Sequence, residues 1–222
     1  MSYDSLFVID ICGTIFRSNT TFDFIRYWFS ETPWYKRMQF IRHFRIVGFL
    51  NAKIHKWFHI DIIRKYAISK LKGYTNQQLS EMTTEFYDGY LSMEINEKVI
   101  ELIEKKRQDG AKLIIISATL DCISKEVAKR LNIGIQYSSE MTYKDGICQG
   151  KLKRDLLASK FRLLQSFGLD NFNYEVITDD YSDSDIISKA EHVYLVQYTD
   201  KSNKWAQYLN ENILKRCELI RV

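Results

Sequence analysis

The sequence predicts an α/β protein whose mainly parallel sheet carries a large helical insertion. Short apolar runs of strand length alternate with amphipathic helical patterns, which is the signature of parallel strands covered on both faces. The interval between the first two runs, Cys12 to Ala111, is several times longer than one crossover requires. Most of it reads as helix.

The first strand is Leu6–Ile11. Its run Leu6-Phe7-Val8-Ile9 shows no polar alternation, as expected of a strand buried on both faces. From Thr20 to about Ser92 several helices are expected. Thr32-Pro33 offers an N-cap hydroxyl with proline at the first helical position, and Thr75-x-x-Gln78 has the form of a capping box. The stretch Ile95 to Asp109 places Val99, Leu102 and Ile103 on one face, with Gly110 as its stop. Further strands are predicted at Lys112–Ser117, Ile133–Tyr137, Tyr174–Thr178 and His192–Val196. Between Glu140 and Gly150, Lys144-Asp145-Gly146 predicts a hairpin.

Composition narrows the function classes. The chain has 222 residues, enough for one sizeable domain or a domain with an insertion. Its net charge of +4 is too mild to mark a nucleic-acid binder, and no nucleic-acid partner is expected. Four cysteines, Cys12, Cys122, Cys148 and Cys217, show no regular spacing. With the acidic start Met1-Ser2-Tyr3-Asp4, they lead to the expectation of reduced thiols in a cytoplasmic protein. No apolar run reaches the roughly 20 residues that span a bilayer.

Four elements at or after predicted strand ends carry chemistry. Asp10 closes the first strand and is followed by the turn Gly13-Thr14. Ser117, followed by Ala118, closes Leu113-Ile114-Ile115-Ile116. Lys160 opens a helical pattern that runs to Phe167 and Gly168. Asp179 and Asp183 follow Glu175-Val176-Ile177-Thr178. Together they suit phosphoryl transfer: a carboxylate attacks phosphorus, and donors and a cation meet the spreading negative charge. Mg²⁺ takes hard oxygen ligands, commonly one or two carboxylates, and Asp10 and Asp179 supply them, with Asp183 holding a ligand water.

In order and placement these motifs resemble the haloacid dehalogenase superfamily, whose first motif D-x-D-G-T is matched by Asp10-Ile11-Cys12-Gly13-Thr14. Ile116-Ser117-Ala118 matches the second motif, Lys160 the third, and Thr178-Asp179-Asp180-Tyr181-Ser182-Asp183 the fourth. The helical interval between motifs one and two looks most like the phosphoserine phosphatase-like branch. The resemblance implies a three-layer Rossmann-like core (1–17 and 93–222) with a helical cap (18–92). It also implies a Mg²⁺-dependent phosphomonoester hydrolase working through an aspartyl-phosphate on Asp10. Thr14, Ser117, Ala118 and Lys160 would serve the phosphate, and Asp10, the Cys12 carbonyl, Asp179 and Asp183 the metal.

Two positions depart from the family pattern. Thr178 replaces a glycine, which a negative φ would allow. Cys12 replaces the second aspartate, the acid–base residue of the family's phosphatases. A thiol is a weaker acid and, when neutral, an inferior base, and loss of such a group costs roughly 10²–10⁴-fold in rate. A slow phosphatase is therefore expected; the alternative is a phosphate-binding or regulatory protein with impaired turnover. Cys12 as a nucleophile is the less favoured reading, beside a small residue filling the vacated place.

Other candidates weigh less. Lys151 and Lys153 rival Lys160 but fit the motif spacing less well. Asp180 and Asp185 read as solvated or capping. His55 and His59, at i and i+4, lack a third metal ligand. Between Trp34 and Gly73, Lys36, Arg37, Arg42, Arg45, Lys53, Lys56, Arg64, Lys65, Lys70 and Lys72 face only Asp61, interleaved with aromatics. The plain account is a helical bundle with a solvated basic surface. The sharper one is peripheral contact with an anionic membrane. Resemblance to phosphatidylglycerophosphatase-like members adds a phospholipid headgroup to small phosphorylated metabolites as a candidate substrate.

Overall fold

In the computed structural model the strand order is β4-β3-β2-β1-β5-β6-β7. The structure describes residues 6–43, 61–168 and 173–222. The strands are β1 (Leu6–Ile9), β2 (Lys112–Leu120), β3 (Gln136–Lys144), β4 (Ile147–Arg154), β5 (Tyr174–Thr178), β6 (His192–Gln197) and β7 (Cys217–Arg221). All neighbours pair in parallel except β3 and β4. The sheet is thus built outward on both sides of β1, and β1 with β5 flank the point where the winding reverses. Open α/β sheets bind their ligands there, beyond the carboxyl ends of the strands.

Alternate side chains of the inner strands feed two cores. Phe7, Ile9, Leu113, Ile115 and Ile177 face one side. There they meet α5 (Glu97–Gln108) through Val99 and Ile103, and α6 (Asp121–Arg130) through Ile123 and Val127. Leu6, Val8, Ile114, Ile116 and Val176 face the other side, against Leu163 and Leu164 of α7 (Lys160–Ser166) and Ile186 and Ile187 of α8 (Ser184–Ile187). Burial on both faces explains the unbroken apolar runs.

Between β1 and β2 lie α1 (Thr20–Phe29), α2 (Pro33–His43), α3 (Ile62–Ser69) and α4 (Asn76–Gly89). The predicted capping box is present in both directions: Gln78 N–H donates to Thr75 Oγ1 (3.1 Å), and Thr75 N–H to Gln78 Oε1 (2.9 Å). Thr32 behaves otherwise than expected. Its hydroxyl donates back to the Phe29 carbonyl at 2.6 Å, closing the turn before α2 rather than capping it. The His55–His59 pair and Arg45, Lys53 and Lys56 lie outside the described residues.

Three strand expectations are corrected. The third strand starts at Gln136 rather than Ile133, whose N–H instead closes the end of α6 on the Ala128 carbonyl (2.9 Å), and it runs on into the hairpin, where Asp145 and Gly146 take φ of 51° and 75°. The second runs past Ser117 to Leu120, but its pairing with β3 shifts between Ser117 and Leu120. Strand β7, at the sheet edge, has an exposed and mixed pattern that gave no apolar signal. Among the described residues no helix is long and apolar enough to cross a membrane.

Candidate active site

Strand register sets the site. Ile9 lies opposite Ile115 on one side and Ile177 on the other, so Asp10, Ser117 and Asp179 all emerge at the same end of the sheet. Asp10 is 4% exposed and its N–H is held by the Ile177 carbonyl at 3.1 Å. The Lys160 ammonium, at the start of α7, donates to Asp10 Oδ1 (2.7 Å) and Asp183 Oδ2 (2.6 Å). Burial alone would lower the Lys160 pKa, but the charges of Asp10 and Asp183 outweigh it and raise it. Lys151 and Lys153 lie instead on β4, where Lys153 approaches Glu140.

Thr14 braces the turn. Its hydroxyl donates to Asp10 Oδ2 (3.3 Å) and accepts the Asp179 N–H (3.0 Å), while its own N–H goes to the Ile11 carbonyl. Both its polar groups therefore face protein partners that orient the loop. Gly13 has φ of 67°, and a Cβ there would lie 2.1 Å from Asp179 Oδ2. Glycine is needed both for the left-handed turn and for the approach of the carboxylate. Tyr198 OH donates to the Gly13 carbonyl (2.8 Å), and Asn96 Nδ2 to the Thr14 carbonyl (2.6 Å). Neither residue stands near a motif, so the sequence offered no signal for them.

Thr178 fits where a glycine is usual, having no positive φ. Its hydroxyl donates to Asp183 Oδ2 (2.6 Å) and accepts the Asp180 N–H (3.1 Å), tying the fourth motif together. Asp180 and Asp185 serve as caps, accepting the N–H groups of Ser182 and Phe161. Burial pushes Asp183 upward against the pull of Lys160. Burial and the Asp10 charge push Asp179 up to about 8.

Cys12 Sγ lies 2.8 Å from Thr20 Oγ1, which in turn lies 2.5 Å from Thr119 Oγ1. Burial, then the Asp10 charge, raises the thiol to about 11. It is protonated at neutral pH and joins a chain of hydroxyls. Ser117 is fully buried, and its Oγ accepts the Thr119 N–H at 3.3 Å. A cavity of about 390 Å³ opens over Cys12, Gly13, Asp179, Asp180 and Lys201. A larger groove of about 870 Å³, between α4, α6 and β3, contains none of the motif residues.

The donors fit a divalent cation. Asp10, Asp179 and Asp183 are opposed by one buried lysine, and Asp183 Oδ1 is buried without a hydrogen-bond partner. Among the described residues no three acidic, thiol or imidazole side chains form a metal shell by themselves. A hard cation here would use two carboxylates and draw on backbone oxygen and water, as Mg²⁺ commonly does.

The haloacid dehalogenase-like hydrolase family model matches residues 7–186. The chain belongs to that family. No curated protein matches the sequence. Solved structures share the fold at low identity. A protein of unknown function from Bordetella pertussis Tohama I is 13% identical, with TM-score 0.69 over 88% of this chain and 91% of that one. A phospho-aspartyl intermediate analogue of phosphoserine phosphatase is 15% identical, with TM-score 0.61 over 98% and 93%. Phosphoserine phosphatase from T. onnurineus is 15% identical, with TM-score 0.59 over 99% and 89%.

Proposed function

We propose that this hydrolase-family protein is a Mg²⁺-dependent phosphomonoester phosphatase that turns over slowly. The observation that carries the reading is the buried Asp10–Lys160–Asp183 chain with Asp179 beside it, an excess of negative charge at the sheet's switch point. Asp10 is the nucleophile, and Lys160 neutralises it and faces the transferred phosphoryl group. The Ser117 hydroxyl and the turn through Ala118 supply donors. Asp10, Asp179 and the Cys12 carbonyl hold Mg²⁺, with Asp183 acting through water; the metal supplies charge neutralisation at the phosphoryl oxygens. The 18–92 insertion serves as the cap, and its described helices next to the site select the substrate.

The phospho-aspartyl and phosphoserine phosphatase neighbours support a small phosphorylated metabolite as the substrate class. A phospholipid headgroup has weaker support, because two cap cations are engaged. Arg64 is buried against Asp155, and Lys36 pairs with Glu31. Pelleting with anionic against neutral vesicles tests that variant, and equal recovery rejects it.

Cys12 supports a second reading, a phosphate-binding or regulatory protein with little turnover. The thiol is protonated and bonded to Thr20, so it is a poor base for water. Hydrolysis of an aryl phosphate with and without Mg²⁺ separates the two. Metal-dependent turnover lost in Asp10→Asn supports the phosphatase. An inactive wild type that gains turnover in Cys12→Asp supports the binder.

A further inference from the structure

Among the described residues of the basic stretch, Arg64 is the one cation that the structure buries. It is 7% exposed and sits in the first turn of α3, where its N–H is capped by Asp61 at 2.9 Å. Its side chain leaves the insertion and enters the core. Nη1 donates to both Asp155 carboxylate oxygens (2.7 and 2.8 Å), and Nη2 donates to the Ala118 carbonyl (2.5 Å) and Ser139 Oγ (3.2 Å). Ser139 Oγ also donates to the same carbonyl at 2.9 Å.

Ala118 lies in the last part of β2, where the β2–β3 ladder slips between Ser117 and Leu120. The ladder therefore does not fix the 118–119 peptide. A carbonyl held by a guanidinium and a hydroxyl turns its peptide so that the Thr119 N–H points the opposite way, which is where it meets Ser117 Oγ. Arg64 thus fixes the orientation of the Ser117 hydroxyl through one peptide unit.

The seat of α3 is itself firm. Gly150 of β4 packs on the helix so closely that a Cβ would lie 2.7 Å from the Ser69 carbonyl. Past the helix, Gly73 N–H bonds to the Cys148 carbonyl (2.9 Å), Cys148 N–H to the Tyr74 carbonyl (2.8 Å), and Asn76 N–H to the Gly146 carbonyl (2.9 Å). The insertion is thus stitched to the β3–β4 hairpin just past the helix whose first turn sends Arg64 inward.

We propose that Arg64 is a positioning residue for the Ser117–Thr119 end of β2, so that this strand end takes its phosphate-ready shape only while α3 is seated on the core. The inference rests on the phosphate-site reading above. A guanidinium suits this task because its planar fork serves a carboxylate on one nitrogen and a carbonyl on the other, which a lysine point charge does not reproduce.

Orthovanadate binding in the presence of Mg²⁺, measured by calorimetry on the full chain, tests it without requiring turnover. Arg64→Lys is expected to weaken orthovanadate roughly 10- to 100-fold, the loss of one charge-assisted hydrogen bond to a buried carbonyl, while Mg²⁺ affinity stays within twofold of wild type. Arg64→Ala is expected to show the same loss and to regain affinity with millimolar guanidinium but not with methylammonium. Orthovanadate affinity in Arg64→Lys within about twofold of wild type overturns the proposal. So does a loss in Arg64→Ala that guanidinium leaves unrestored and that follows a lowered melting transition, which marks a merely structural arginine. A wild type that binds no orthovanadate removes the phosphate site itself, and this inference with it.

Discussion

At the carboxyl ends of β1 and β5 the motif turns are held by local contacts and by register, with Lys160, Asn96 and Tyr198 arriving from farther along the chain. Thr14 reaches Asp10 four residues away, Thr178 reaches Asp183 five away, and the pairing of β1 with β5 brings the two turns together. In the helical insertion the contacts that bear on the site span the chain. Arg64 reaches Ala118 across 54 residues and Thr20 approaches Thr119 across 99. The first region is a set of motifs that any fold with this strand order assembles. The second shapes the same turn by tertiary docking alone. A site of the first kind is broken by changing its own residues; one of the second kind is also broken by unseating a distant helix.

Asp10→Asn should show the largest effect, a loss of roughly 10³-fold or more in Mg²⁺-dependent aryl phosphate hydrolysis, since it removes the proposed nucleophile. Retained activity would sink the assignment. Cys12→Asp probes the same turn in the opposite direction. Restoring a carboxyl acid–base group should raise turnover by roughly 10²- to 10⁴-fold, and an unchanged rate would show that some other step limits the protein.

Gly13→Ala sets a Cβ against the Asp179 carboxylate and strains a left-handed residue. Mg²⁺ affinity by titration calorimetry should fall by roughly 10- to 100-fold, with the fold retained by circular dichroism.

The pH dependence follows from Asp179. In the metal-free protein its carboxyl keeps its proton up to about 8, against an ordinary value of 3.8. The folded state therefore binds more protons than the unfolded state between these values. Its contribution to stability is full below the lower value and is lost as pH rises through the upper one. Mg²⁺ must displace that proton, so its apparent affinity should climb with pH across the same window, by up to roughly tenfold per unit. Thermal melts and Mg²⁺ titrations at about pH 5 and about pH 8 check both signs.

The smallest effect belongs to the insertion. Thr75→Ala removes the capping box of α4 and should cost about 1 kcal/mol of stability in a denaturant melt, leaving aryl phosphate turnover unchanged. A large loss of turnover there would mean that the insertion governs the site through its whole packing rather than through Arg64.

The gap between reading and structure follows the same division. Asp10, Ser117 and Asp179 were legible because an apolar run ending in a polar residue marks a strand end, and parallel strands bring such ends together. Lys160 and Asp183 were legible only from their spacing to those ends. The hairpin at Asp145-Gly146 was legible because two left-handed residues need that chemistry. Strand β7 was not, because an exposed edge strand carries no apolar pattern. Arg64 counted in the sequence as one more surface cation, for nothing in its neighbourhood distinguishes a solvated arginine from a buried one.

By itself the sequence determined the α/β class, the order of the motif residues along the chain and the hairpin, since each depends on local propensity or on the period of apolar side chains. Only the tertiary structure decided that Thr14 is a brace between Asp10 and Asp179, that Thr178 stands in a glycine's place by binding Asp183, and that Arg64 leaves the insertion to hold the Ala118 carbonyl. The physical reason is the desolvation of buried polar groups. Each must find a partner, and which partner lies within reach is fixed by how helices and strands dock, a quantity that no stretch of sequence carries.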